Sequence, residues 1–213
     1  VIIDDSITSE PTFAMVEHII SSVKNSRIDA VAGIGGGSVL DAAKVIAAIL
    51  DSSQSLNQIV GNGLVSRRKT WLTCLPTTSG TGSEVSPNVL LFDDSDNFKK
   101  AVISHWLVPD VSYIDPKLTL SVPAPVTAAT GFDAMIHCLE AYTNINAHPY
   151  VDLYALEGIR LVYRYLERAV KDGNDLEARA GLSLASLYGG QCLGPVNTAA
   201  NHAFAYPLGS KYH

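Results

Sequence analysis

Three consecutive glycines at positions 35–37 separate a short apolar run from a long helical pattern. Residues 29–34 (DAVAGI) are typical of a buried strand, and residues 39–50 (VLDAAKVIAAIL) have the composition of a strong helix. Ser38 is placed to supply the N-cap oxygen of that helix. A strand that ends in glycines and opens a helix leaves backbone N–H groups facing outward, where no side chain blocks a phosphate. The pattern therefore predicts an α/β unit.

The glycine turn matches neither standard nucleotide motif. No Gly-Lys-Ser/Thr closes it, and Ser38 stands where the third glycine of GxGxxG belongs. Two interpretations stay open from the residues alone. The turn either binds a phosphate or uses its glycines only for backbone freedom.

The period of the apolar residues changes near residues 121–125. Short β-branched runs alternate with helical patterns before this point, and only helical spacing follows it. We therefore predict an α/β domain over residues 1–121 and an all-α domain over residues 122–213. The expected strands are 29–34, 71–76, 89–92, 101–103 and 111–114, with a polar turn joining the third and fourth; the expected later helices are 125–142, 150–171, 175–192 and 201–212.

Charge and composition exclude several classes of partner. The 213 residues carry 15 basic and 21 acidic side chains, a net charge of −6, and no Lys/Arg cluster. Such a chain lacks the positively charged surface that binding to nucleic acid or to an anionic membrane requires. No apolar run is long enough to span a bilayer. The three scattered cysteines are interpreted as reduced core thiols of a cytoplasmic protein.

Two further segments could carry chemistry. The loop at 76–84 (PTTSGTGSE) follows a predicted strand and suits hydrogen bonding to a diphosphate or ribose, although an exposed polar loop has the same composition. Asp133 and His137 stand four residues apart, so a helix would project both from one face. They could share a divalent metal, with His202 as a third ligand, or they could form a helix-stabilising pair. Glu140 lies near that face, either as a supporting group or on the surface.

These segments together resemble the iron-containing alcohol dehydrogenase family. The resemblance rests on GGGSVLDAAK, PTTSGTGSEVSPN, NFKKAV, IDPKLTLSVP, TGFDAMIHCLEAYT and NHAFAYPLG, in the family's order and over essentially the whole chain. It implies a Rossmann-like α/β domain followed by an all-α domain, the dehydroquinate synthase-like fold, with the active site in the cleft between them. The implied metal ligands, through which catalysis would run, are Asp133, His137 and His202; the implied cofactor contacts are Gly36, Gly37, Ser38, Thr77, Thr78, Thr81, Asn88 and Lys99.

The function implied is a metal-dependent NAD(P) alcohol dehydrogenase that interconverts a small primary alcohol or diol and its aldehyde. We expect NAD or NADP as cofactor, Fe²⁺ with Zn²⁺ as a substitute, and a homo-oligomer. Tyr206 stands where the family has a second histidine, and the family's fourth ligand would fall beyond His213. The chain is therefore expected to be an incomplete copy of a longer enzyme. The alternative is a non-catalytic nucleotide-binding fragment with an incomplete metal site.

Overall fold

The structure is a computed structural model that describes residues 1–212, apart from the side chains of Ser210 and Tyr212; position 213, the last of the predicted all-α domain, lies outside the description. The first part of the chain contains both helices and strands: α1 (Phe13–Val23), β1 (Ala30–Gly35), α2 (Gly37–Ile49), α3 (Leu56–Ile59), β2 (Gly61–Asn62), β3 (Trp71–Pro76), β4 (Asn88–Asp93), β5 (Phe98–Ile103) and β6 (Val111–Ser112). Four helices follow: α4 (Ala124–Thr143), α5 (Pro149–Lys171), α6 (Leu176–Leu193) and α7 (Ala200–Tyr212). The predicted α/β part followed by a helical part is confirmed.

A parallel sheet of order β1-β3-β6 brings the two glycine-containing loops together. Strand β1 runs beside β3 in a register that pairs Ala30 with Trp71 and Gly35 with Pro76. Both strands therefore end at the same edge of the sheet. The glycine turn follows β1 there, and the loop of residues 77–87 follows β3, at the edge where α/β folds bind their ligands.

A second sheet of order β2-β5-β4 contains the predicted hairpin. Strands β4 and β5 pair antiparallel from Asn88 opposite Ile103 to Asp93 opposite Phe98. Asn97 has a φ of 56° in the polar turn between them, a left-handed conformation that asparagine tolerates better than most residues.

Helix α2 lies between the two sheets and is buried on both sides. Leu40, Ala43 and Ala47 pack on Leu72 and Cys74 of β3. The opposite face joins a larger cluster with α1 and the second sheet, whose buried members include Phe13, Val16, Val45, Ile49, Val89, Leu91 and Val102. This two-sided burial explains the almost continuous apolar sequence of the helix.

Two local predictions are wrong. Residues 29–34 were expected to form a buried strand, but Ala30 and Ala32 are exposed and Ile34 keeps 59% of its surface in contact with solvent. Among the described residues β1 pairs only with β3, so it is an edge strand that α2 covers on one face. Ser38 was expected to be the N-cap of α2, but Gly36 takes that position with extended dihedral angles and Ser38 lies within the first turn.

Helices α4, α5 and α6 pack around a shared apolar cluster, and the loop of residues 77–87 contacts them. The cluster contains Ala134, Val162, Tyr165, Ala169, Ala178, Leu182 and Ala185. Ser79 in the loop shares a hydrogen bond of 3.0 Å with Ser183 of α6. The same loop therefore reaches from the glycine turn to the helical part.

The described helices include none that is both long and apolar enough to cross a membrane. All three cysteines are buried free thiols, as expected. Burial raises the pKa of Cys74 and of Cys138 to about 12 and that of Cys192 to about 11, so these thiols are inert core groups at neutral pH.

Candidate active site

Two helices bring Asp133, His137 and His202 together. Asp133 and His137 lie one turn apart on α4, and His202 lies in the first turn of α7. One Asp133 oxygen, Oδ1, lies 3.4 Å from Nε2 of His202 and 3.9 Å from Nε2 of His137. The two imidazole rings stack with centroids 4.5 Å apart. One ligand atom from each of the three residues lies within 4.8 Å of the other two.

Burial and mutual contact set the charge states of this cluster. Burial lowers the pKa of His137, although the nearby Asp133 carboxylate opposes the shift. Burial alone would also lower the pKa of His202, but hydrogen bonds to Asp133 and Glu140 outweigh it and raise that pKa. Burial would raise the pKa of Asp133, yet its contact with His202 and the charges of both histidines lower it. An anionic carboxylate and two imidazoles therefore converge on one point.

The donor set fits a first-row divalent metal. Imidazole nitrogens and one carboxylate oxygen are ligands that Fe²⁺ and Zn²⁺ accept. Ligands at about 2.0–2.1 Å from a tetrahedral ion lie roughly 3.3 Å from one another. The 3.4 Å separation between Asp133 and His202 is close to that value, and the 3.9 Å separation between Asp133 and His137 is wider. The type and the proximity of the donor atoms of Asp133, His137 and His202 therefore fit a divalent metal.

The first turn of α2 lines the same cleft as the metal-ligand cluster. Gly37 and Ser38 line a cleft of about 430 Å³ together with Asp133, His137 and His202. A Cβ atom added to Gly37 would lie 2.6 Å from Cγ2 of Thr81, so a larger residue at this position would have to displace the Thr81 side chain. Because the N-cap is Gly36, which has no side chain, the first amides of α2 have no side-chain cap.

The three predicted threonines occupy different places in the loop after β3. Thr81 lines the cleft. The backbone N–H of Thr77 donates to the carbonyl of Gly35 at 2.9 Å and fixes the start of the loop beside the glycine turn. Oγ1 of Thr78 lies 3.4 Å from where a Cβ of Gly36 would stand. Thr77 and Thr78 border the turn without lining the cleft.

Asn88 lines the cleft, and Lys99 lies beside it, next to a residue that does. Nδ2 of Asn88 donates to Oδ1 of Asn197 at 3.0 Å, and Asn88 lines the cleft. Its own Oδ1 is buried and has no hydrogen-bond partner within the described part of the chain. Lys99 pairs with Glu10 at 2.6 Å, and Glu10, rather than Lys99, lines the cleft.

The sequence did not predict a charged pair at the cleft, in which Asp41 lines the cleft and Lys44 is buried behind it. Nζ of Lys44 is fully buried and donates to the carbonyls of Ser83 and Asn88, at 2.9 and 2.6 Å, and more weakly to the hydroxyls of Ser83 and Ser86. Asp41 accepts from the Ser83 hydroxyl at 2.5 Å and from the N–H of Leu90 at 2.8 Å. Two charges three residues apart inside an apolar helix were the sequence signal for this pair.

Asp41 and Lys44 fasten the loop after β3 to α2. Burial raises the pKa of Asp41 and lowers that of Lys44, while each charge favours the ionised form of the other. Removing these two charges from water costs free energy, and the opposite charge together with the hydrogen bonds compensates for that cost. The pair thus holds the loop and the start of β4 in register with the glycine turn.

Family comparisons agree with this architecture. Residues 1–116 match the family model described as iron-containing alcohol dehydrogenase, and residues 127–213 match that of the Fe-containing alcohol dehydrogenase family, C-terminal. The chain belongs to the iron-containing alcohol dehydrogenase family. Residues 117–126 separate the two matches, and α4 begins at Ala124 within that interval.

Individual members of the family resemble the chain over nearly its whole length. Long-chain-alcohol dehydrogenase 1 of Geobacillus thermodenitrificans (strain NG80-2) is 40% identical over 212 residues, which are 97% of this chain and 53% of that protein. A crystal structure of 1,3-propanediol oxidoreductase superposes with a TM-score of 0.95 at 33% identity and covers 99% of this chain and 55% of its own. The crystal structure of sulfoacetaldehyde reductase from Bifidobacterium kashiwanohense in complex with NAD⁺ superposes with a TM-score of 0.91 at 30% identity, and the match covers 97% of this chain and 55% of that one. The chain thus spans about half the length of these proteins.

Proposed function

We propose that the chain carries the cofactor- and metal-binding part of a metal-dependent NAD(P) alcohol dehydrogenase. The reaction proposed is the interconversion of a small primary alcohol or diol and its aldehyde by hydride transfer. One observation supports it most: a single cleft is lined both by the uncapped first turn of α2 and by the cluster of Asp133, His137 and His202. Hydride transfer needs a nicotinamide and a polarised oxygen side by side, and the two groups of residues that line this cleft would supply adjacent sites for both.

The cofactor is assigned to the turn before α2 and its surroundings. The first amides of α2 and the positive end of its dipole would bind the diphosphate, with Gly36, Gly37 and Ser38 around it. Thr77, Thr78, Thr81 and Asn88 would contribute further contacts, and the unpartnered Oδ1 of Asn88 is free to accept one. Lys99 is a contact only if it leaves Glu10. The NAD⁺ complex of the related sulfoacetaldehyde reductase supports NAD as the cofactor.

The metal is assigned to Asp133, His137 and His202, the residues through which catalysis would act. These three residues would hold a divalent ion, whose Lewis acidity would polarise the alcohol or carbonyl oxygen when bound. The family description supports iron, and the mixed oxygen and nitrogen donors also suit zinc as a substitute. The three side chains line the same cleft as Gly37 and Ser38 of the first turn of α2.

The metal assignment is tested by His137→Ala with His18→Ala, an exposed histidine of α1, as the matched control. Loss of one ligand from a three-residue site removes most of its affinity. Elemental analysis after exposure to Zn²⁺ should find bound zinc in the wild type and the control and little in His137→Ala. Equal zinc content in all three proteins refutes the assignment.

The cofactor assignment is tested by Gly37→Val. The added side chain meets Thr81 and blocks the close approach of a diphosphate, so the Kd for NAD⁺ should rise at least about tenfold, or 1.4 kcal/mol. Zinc binding by the same variant should stay unchanged, which shows that the fold is intact. Equal affinity for NAD⁺ in a calorimetric titration contradicts the assignment. The domain boundary, the choice between NAD and NADP, a cytoplasmic location and a homo-oligomeric state stay predictions.

A further inference from the structure

We propose that Glu140 is a positioning residue that sets the ring orientation and the tautomer of His202. This inference rests on the proposed metal site. Glu140 lies on α4 one turn beyond His137, and only 3% of its surface is exposed. Its Oε2 lies 2.5 Å from Nδ1 of His202. A carboxylate accepts and does not donate, so this contact places a proton on Nδ1.

The contact decides which nitrogen of His202 faces the ligand cluster. With Nδ1 bound to Glu140, the opposite nitrogen, Nε2, lies 3.4 Å from Oδ1 of Asp133. Both ring nitrogens face a carboxylate, but the Glu140 contact at 2.5 Å is the shorter one, so the neutral imidazole keeps its proton on Nδ1 and presents a lone pair on Nε2. Glu140 therefore turns the ring so that its free lone pair points to the place where the metal is proposed to bind.

Glu140 also fixes the backbone that carries His202. Its other oxygen, Oε1, accepts from the N–H of Asn201 at 2.5 Å and from that of His202 at 3.3 Å. These amides belong to the first turn of α7, whose N–H groups have no partner within the helix. Glu140 thus links α4 to the start of α7 and holds the main chain and the side chain of the same ligand.

The other histidine of the cluster has no carboxylate against its Nδ1 among the described residues. The backbone of Gly80 faces His137, but no atom of the described residues meets Nδ1 of that ring in hydrogen-bond geometry. His137 gains its position from its place one turn after Asp133 on α4. The geometry therefore singles out His202, which comes from a different helix, as the ligand that needs an external positioning group.

The test uses two variants that separate position from charge. Glu140→Gln removes the negative charge and places an amide NH₂ against a donor. Glu140→Asp keeps the charge but is one methylene shorter, so it cannot reach both His202 and the α7 amides. Glu157→Gln, on an exposed side chain of α5, is the control. Zn²⁺ affinity is measured by competition with a chromophoric chelator, and circular dichroism verifies that each variant is folded.

We expect both Glu140 variants to weaken Zn²⁺ binding by about 10–100-fold and the control to leave it unchanged. If Glu140→Asp binds within roughly threefold of the wild type while Glu140→Gln does not, the effect is one of charge, and the proposal is overturned. Wild-type affinity in both variants overturns it as well.

A second measurement needs no metal. Nitrogen-15 NMR of the metal-free protein in alkaline buffer reports which ring nitrogen of each histidine is protonated. The wild type should show His202 with its proton on Nδ1, and Glu140→Asp should show a mixture of the two tautomers. If the wild type binds no Zn²⁺, the proposed metal function fails, and this tautomer result alone decides the role of Glu140. A His202 protonated on Nε2 in the wild type overturns the inference.

Discussion

Gly82 joins the two parts of the chain at a point where their backbones touch. Its φ is +61°, a left-handed conformation, and a Cβ atom added to it would lie 2.4 Å from Cα and 2.6 Å from the backbone N of Gly190 in α6. Both atoms belong to the main chain of a buried helix, so neither can rotate away. Gly82→Ala should therefore destabilise the protein for two separate reasons.

The expected cost follows from those two contributions. The left-handed conformation costs an L-residue about 1–2 kcal/mol, and forcing a methyl group into a packed contact costs about 1–3 kcal/mol more. Gly82→Ala should thus lower the free energy of unfolding by about 2–5 kcal/mol. Gly63→Ala is the matched control, because Gly63 has a φ of +74° and nothing lies within 4 Å of its added Cβ.

Urea unfolding followed by circular dichroism measures both variants. Gly63→Ala should lose only the conformational contribution, about 1–2 kcal/mol. Gly190→Ala should lose only the steric one, because its added Cβ would lie 2.4 Å from the carbonyl oxygen of Gly82 without a left-handed backbone. Equal losses for Gly82→Ala and Gly63→Ala would refute the close contact between the loop and α6.

Three other features predict measurable effects. Lys44→Met should cost about 3–5 kcal/mol in urea unfolding, because it removes the charge beside the largely buried Asp41 carboxylate and leaves the carbonyls of Ser83 and Asn88 without their donor; a loss below about 1 kcal/mol contradicts the charged pair. Burial would raise the pKa of Asp110, but the hydrogen bond and the charge of Arg68 outweigh burial and lower that pKa below its ordinary value. The ionised Asp110 therefore stabilises the folded protein above pH 3.8, and this stabilisation is lost as the pH falls through the folded-state pKa. Asp110→Asn should accordingly reduce the loss of unfolding free energy at acid pH, and an unchanged pH dependence contradicts the role given to Asp110. The three buried thiols should react with a disulfide reagent at neutral pH only after unfolding, and fast reaction in the native state would contradict their burial.

The local elements and the clustering of the candidate ligands could be predicted from the sequence. The change of period near residue 121 separates the α/β part from the helical part, and glycines and prolines mark where elements end. The spacing of Asp133 and His137 places both on one helix face whatever lies around them. His202 could be proposed as a third ligand because imidazole is a suitable donor beside Asp133 and His137. The structure brings His202 to the other two ligands through the first turn of α7.

Non-local contacts could not be predicted in the same way. The partner of Lys99 is Glu10, 89 residues away in sequence, and no local pattern indicates that pair. The burial of Lys44 depends on carbonyls that the loop after β3 directs at it. The exposure of β1 depends on how many strands flank it, which apolar composition does not report. The prediction of Ser38 as the N-cap was wrong because Gly36, two residues earlier, adopts the extended conformation that the cap position requires.

Anomalous diffraction at the zinc edge, on crystals grown with Zn²⁺, tests the central proposal most directly. The proposal predicts one anomalous peak about 2.0–2.2 Å from a carboxylate oxygen of Asp133 and from Nε2 of both His137 and His202. That peak would place the metal in the cleft lined by the first turn of α2. A fully occupied peak elsewhere with none between these three side chains, or no peak at all, would contradict it.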